Sequence, residues 1–157
     1  MAVTRLMVRE AIAYTARQAD PSGLHVYPYM HPTPTAPAVC VGLEYTDFVG
    51  DMAAGMITET WRLWLLLNPG SDWLEAQRQA DLYLDYTGEK SLHRAFRASL
   101  RKGDGADAYW RGTEVSEVRL LRYSRMPSDV QGPNIIDWMG SPYWGVPIEV
   151  KVMYGRQ

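Results

Sequence analysis

Val146, Ile148, Val150, Val152 and Tyr154 place an apolar residue at every second position in the last part of the chain. A period of two belongs to a β-strand, whose successive side chains point to opposite faces, so 144–154 is predicted as a strand with one buried face. Such a strand needs neighbours to take its backbone hydrogen bonds and a second layer to cover its apolar side. The segments 113–123 and 56–67 read as further strands. The latter holds Thr58, Thr60, Trp61, Trp64 and a leucine run; it is apolar on both faces near its end, as a central strand covered on both sides would be. Asn68-Pro-Gly-Ser71 stops it, and the glycines and aspartates of 46–55 mark a loop before it.

Upstream, Gly23 to Tyr45 holds two short apolar segments split by His31-Pro-Thr-Pro-Thr-Ala-Pro37. Leu24 to Met30 contains Pro28, which cannot donate to a ladder, so this segment is expected at an edge or bulge. In Ala38 to Tyr45, Val39, Val41, Leu43 and Tyr45 share one face by alternation. The small Ala38, Cys40 and Gly42 occupy the other, where a helix is expected to approach closely.

Helices are predicted over 3–19, 72–87 and 89–102. The first ends at Asp20-Pro-Ser-Gly23. In the second, Trp73, Ala76, Ala80, Tyr83, Leu84 and Thr87 fall on one side while Glu75, Arg78, Asp81 and Asp85 lie away from it, and Asp72 with Glu75 makes a capping box. The third buries Leu92, Phe96 and Leu100 and stops at Gly103-Asp-Gly105. On another side Lys90, Arg94, Arg97 and Arg101 recur at one-turn spacing and form a single basic row. That row is either a solvated face with salt bridges to a neighbouring subunit, or a surface for sequence-independent attraction of nucleic-acid phosphates.

Between the last two strands, 124–143 is rich in proline and glycine yet contains Ile135, Ile136, Trp138 and Met139. Loops this long in compact domains are usually functional or disordered, and an apolar cluster disfavours disorder. Two readings stand: an extra strand over the domain's own core, or an apolar loop at an intersubunit contact.

At 157 residues, 46% hydrophobic and 22% charged, the chain is sized for a single domain, 1–157, with a loop insertion near 124–143. A net charge of -2 argues against a protein built mainly to neutralise nucleic acid. Cys40 is the lone cysteine, which excludes an intrachain disulfide, fits a reducing compartment, and is expected to be buried and inert. Without a secretory leader pattern, and with no apolar run near the length of a membrane span, the protein is expected to be soluble and unexported. Six Trp, ten Tyr, eight Met and thirteen Arg against three Lys match the residue palette of protein contacts. A Trp-rich core combined with arginine-favouring codon usage is the alternative source of that palette.

The nearest approach to catalytic chemistry is Asp137 with Glu149-Val-Lys151. An acidic residue followed by acidic-x-Lys is how one class of metal-dependent nucleases holds Mg²⁺ and orients water. The nuclease fold normally continues with a helix and a strand beyond the lysine, and Glu149 and Lys151 are also the solvent side of an amphipathic strand. His25, His31 and His93 show no zinc-site spacing, and neither a nucleophile elbow nor a phosphate loop is present in the sequence. No catalytic, cofactor or metal residue is assigned.

The order of an N-terminal helix, Gly23, a Val-Tyr strand, a proline-rich turn and the small-apolar strand 38–45 resembles the start of tail terminator proteins of long-tailed, siphovirus-type bacteriophages. The resemblance is one of pattern and element order across nearly the whole chain. It implies a structural virion protein without enzymatic activity, assembled in the host cytoplasm. Such a protein forms a ring, usually a hexamer, that caps the tail tube at the head-tail junction. Implied partners are other copies of the chain, the major tail tube protein and a head-completion (stopper) protein of the neck, with DNA passing the lumen. Another head-tail connector or tail-completion protein is the first alternative, and a small metal-dependent nuclease the second.

The expected architecture is α+β: a mixed or mostly antiparallel sheet of about five strands with helices packed on one face. An α/β-like sandwich is the alternative. The proline-bearing edge at 24–30 is expected to be covered by a neighbouring subunit.

Overall fold

The computed structural model describes residues 4–47, 56–98, 115–123 and 134–155. The alternating C-terminal segment forms β6 (Ser141–Gly155), the longest strand, and the sheet is arranged around it. The others are β1 (His25–Tyr27), β2 (Ala38–Asp47), β3 (Met56–Leu67), β4 (Val115–Tyr123) and β5 (Asn134–Trp138). They run in the order β1-β2-β3-β6-β4, with β5 also paired to β6. One edge of β6 pairs with β3 from Trp144 to Gly155. Its other edge is shared, Ser141–Gly145 by β5 and Ile148–Tyr154 by β4. Only β1–β2 is parallel among the described pairs. The fold is therefore α+β with a mixed, mostly antiparallel sheet, as the sequence predicts, gaining β5 from within the segment expected to be a loop.

Three helices, α1 (Arg5–Arg17), α2 (Trp73–Leu84) and α3 (Leu92–Ala98), cover one face. Val146, Ile148, Val150, Val152 and Tyr154 all point into this layer, beside Val39 and Val41 of β2 and Trp61, Leu63, Leu65 and Leu67 of β3. The helices contribute Val8, Ile12 and Ala16, then Ala76, Ala80 and Tyr83, then Leu92 and Phe96. Each fully buried large side chain contributes roughly 1.5–3 kcal/mol relative to exposure. Thr4 caps α1 by accepting the Met7 N–H at 3.2 Å, and Asp72 caps α2 by accepting the Glu75 N–H at 2.8 Å. Among the described residues no helix is long and apolar enough to cross a membrane.

The opposite face corrects the expectation of a helix against the small residues of β2. Ala38 and Cys40 are covered by Trp138 and Tyr143 of the β5–β6 hairpin, with Leu66 and the partly buried Tyr27, Ala36, Trp64 and Ile136 around them. Aromatic rings need the close approach that Ala and Cys allow. Alternation in β2 also breaks before Tyr45. A bulge after Leu43 sets Tyr45 opposite Thr60, whereas Leu43 pairs with Trp61. The expected strand at 113–123 begins at Val115, and its first residues lie outside the described ones.

The proline-rich segment 28–37 connects the parallel β1 and β2 and is fixed by side chains from far along the chain. Trp138 Nε1 donates to the His31 carbonyl at 2.7 Å, and the Tyr143 hydroxyl donates to the Pro34 carbonyl at 2.9 Å. The Ala36–Pro37 peptide is cis. From the helical side, Arg9 donates to the carbonyls of Pro28 and Val41, both at 2.8 Å, while its guanidinium stacks between Tyr29 and Trp61. The hinge is thus clamped from both layers.

Candidate functional site

The basic row is taken apart by where α3 begins. Ser91 serves as its cap: the hydroxyl accepts the Arg94 N–H at 3.0 Å and itself donates to the Asp85 carbonyl. The helix therefore starts at Leu92, not Glu89 as the sequence predicts, and Lys90 lies in the turn before it. Each described member has its own partner. Lys90 Nζ is 3.7 Å from Asp20 Oδ2, Arg94 donates to the Glu89 carbonyl, and Arg97 stacks 4.4 Å from the Tyr86 ring centroid. Arg101, Leu100 and the expected stop at 103–105 lie outside the described residues.

Asp20 is buried in the turn after α1 and accepts the Tyr83 hydroxyl at 3.0 Å. Burial, followed by the hydrogen bond and charge of Asp20, raises the Tyr83 pKa. His93 packs its ring 4.6 Å from that of Tyr86. Burial, then the positive charge of Arg97, holds its pKa below the usual imidazole value. These contacts tie α1, α2 and α3 together and give Lys90 a structural partner.

The apolar segment 135–139 divides by alternation. Ile136 and Trp138 turn inward onto the second core, whereas Ile135 and Met139 are 51% and 59% exposed. Met139 and Gly140 both have positive φ, the requirement of a two-residue I′ hairpin turn. Asp137 Oδ1 accepts the Gly140 N–H at 2.9 Å and closes it. The expected loop insertion is thus, over 134–143, a hairpin that extends the sheet and presents two apolar side chains outward; 124–133 lies outside the described residues.

The nuclease-like residues are not brought together. Asp137 stands opposite Pro142 on β6, so at about 3.3 Å per residue Glu149 lies roughly 20 Å away along the strand. Glu149 is instead buried beside Arg62, at 3.8 Å, and Arg62 also pairs with Glu44 at 2.7 Å. No group of His, Cys, Asp and Glu suited to a metal occurs among the described residues. The Cys40 thiol is buried, and desolvation pushes its pKa up against a weaker lowering by a backbone hydrogen bond from His31, so it stays protonated.

Part of the β1 edge is engaged within the chain. The His25 N–H bonds to the Pro37 carbonyl at 3.0 Å, so in a parallel ladder Val26 points its backbone groups away from β2. Arg17 donates to that Val26 carbonyl at 3.3 Å, and Pro28 has no N–H to offer.

Sequence reasoning missed α2's outer side. Trp73, expected on the buried side, is 45% exposed at the first helical position, and Leu74, Leu82 and Tyr86 are exposed with it. Leu74 and Leu82 lie opposite the Ala76, Ala80, Tyr83 stripe at about 100° per residue, so the signal was an apolar pair on the face expected to be polar. An open groove of about 660 Å³ runs beside them, lined by Asp81, Leu82, Leu84, Asp85, Gly88, Glu89 and Lys90. No protein-family model and no curated protein matches the chain.

Proposed function

We propose that this chain is a structural virion protein, a tail terminator of a long-tailed bacteriophage that forms a ring at the end of the tail tube and joins it to the neck. The reading rests on the element order that carries the resemblance, and on one structural observation above others. Nine large hydrophobic side chains are exposed among the described residues: Leu6 on α1, Tyr29 and Met30 in the hinge, Trp73, Leu74 and Leu82 on α2 with Tyr86 just after it, and Ile135 with Met139 on the β5–β6 hairpin. Apolar side chains presented from several elements of one small domain suit a subunit with several neighbours, two in the ring and others above and below it. The clamped hinge supports the same reading, since it gives the subunit a rigid frame that meets several partners without refolding.

Light scattering on the chain alone and with tail tube protein tests this. A ring mass near that of a hexamer is expected. A monomer that persists with tube protein present overturns the proposal, as does magnesium-dependent DNA cleavage lost in Glu149→Gln.

A further inference from the structure

The apolar attachment of α2 is thin. Its buried stripe is Ala76, Ala80 and Tyr83, and burying a methyl group removes far less apolar area from water than burying Val8 or Ile12 of α1 does. The larger Leu74 and Leu82 are exposed on its outer side and add little to the attachment. α1 is in addition bonded through Arg5 to Glu59, through Arg9 to the Pro28 and Val41 carbonyls, and through Arg17 to the Val26 carbonyl.

α2 is instead pinned near its two ends. Before its start, the Trp144 indole N–H donates to the Ser71 carbonyl at 2.9 Å. In its last turn the Tyr83 hydroxyl donates to the buried Asp20 at 3.0 Å, and just beyond it the Ser91 hydroxyl donates to the Asp85 carbonyl. Electrostatics work against this second end. The last turn has no basic residue, so Asp81 and Asp85 sit at the negative end of the helix dipole, where carboxylates are unfavourable. The helix has 12 residues, and isolated helices shorter than about 12–15 residues are marginal in water. Lifted from the sheet, it does not stay helical.

We infer that α2 is a strap that opens on its own: the Tyr83–Asp20 bond releases, and the helix lifts and unwinds between Ser71 and Gly88 while the sheet and α1 stay folded. The opened state gives up two buried alanines, one tyrosine and one buried bond, and keeps the rest of the core, so it lies well below global unfolding in free energy. The inference stands apart from the ring reading and does not fall with it.

Native-state amide hydrogen exchange on the full chain, in the regime where rates report opening equilibria, tests it. The N–H groups of 76–84 are expected to exchange at least about a hundredfold faster than the slowest of β3 and β6, after correction for intrinsic rates. Tyr83→Phe keeps the ring, removes the pin and is expected to speed exchange in α2 by about tenfold or more. Tyr143→Phe weakens the other face of the sheet, which stays folded in the opened state. It is expected to speed the slowest amides of β3 and β6 and to leave those of α2 unchanged. The inference is overturned by α2 amides as protected as the slowest sheet amides, by α2 exchange unmoved in Tyr83→Phe, or by α2 and sheet amides shifting together in Tyr143→Phe. A Tyr83→Phe chain that fails to fold leaves the wild-type and Tyr143→Phe comparisons to decide it.

Discussion

Tyr143→Phe isolates one clamp on the proline hinge. The substitution removes a single oxygen, keeps the ring that packs on Ala38 and Cys40, and leaves the Pro34 carbonyl without the donor it has at 2.9 Å. Both residues are buried, so water does not freely replace the lost bond. A buried acceptor stripped of its partner costs about 1–3 kcal/mol, more than the roughly 0.5–1.5 kcal/mol net worth of a typical intramolecular hydrogen bond. For a domain of this length each kcal/mol lowers Tm by roughly 2–4 °C, which predicts a fall of about 3–10 °C. Urea unfolding measures the loss directly, with a lower midpoint at unchanged m. Trp138→Phe removes the second clamp, the bond to the His31 carbonyl. Because both anchors hold one segment, the double variant is expected to depart from additivity by about 0.5 kcal/mol or more. A Tyr143→Phe variant within about 0.3 kcal/mol of the wild type would show that the hinge is not held this way.

Glu59 is fully buried and accepts from Arg5 Nε and from Thr46 Oγ1, each at 3.2 Å. Arg5→Ala is expected to cost about 1–2 kcal/mol, less than the loss for an enclosed pair because the Arg5 side chain is half exposed; unchanged urea stability refutes this. A methyl group on Gly145 meets Ile136 Cδ1 at 2.6 Å, so Gly145→Ala should lose about 1–3 kcal/mol. Ile136→Val, which lacks that atom, should recover most of it in the double variant, and an equal loss in both backgrounds contradicts the contact. Burial, then the charge and hydrogen bond of Glu59, pushes the Tyr154 pKa up to about 12 from the ordinary tyrosine value of 10.0. The folded state therefore holds more protons than the unfolded between those values, and the stability contributed below pH 10 is lost as pH rises through about 12. Tyr154→Phe should flatten that part of the stability profile, measured by urea midpoints across alkaline pH.

Strands were legible where one face is buried and the period is unbroken, as in β6. Where a strand is shorter, the sequence leaves its partner open. Asn134–Trp138 alternates over only five residues, and its turn carries Met139 at positive φ, a conformation that side chains other than Gly, Asn and Asp seldom adopt and so seldom announce. The hinge that joins the parallel β1 and β2 is bonded by Trp138 and Tyr143, more than a hundred residues along the chain, and no local pattern carries that. α3 began later than its periodicity implies because Ser91, a good cap, follows Gly88 and outcompetes Glu89. The contact surfaces were the least legible. The basic row is conspicuous in sequence, yet its described members are engaged by Asp20, Glu89 and Tyr86. The apolar outer side of α2 was hidden because hydrophobic residues are first assigned to the core, and an exposed one is recognised only when the buried stripe is already filled.

Electron microscopy of tail tubes, assembled from the major tail tube protein and incubated with this chain, tests the central claim most directly. The account predicts a ring of this protein seated on one end of each tube, which stops further growth. Bare tube ends with the chain left as monomer in solution would contradict it.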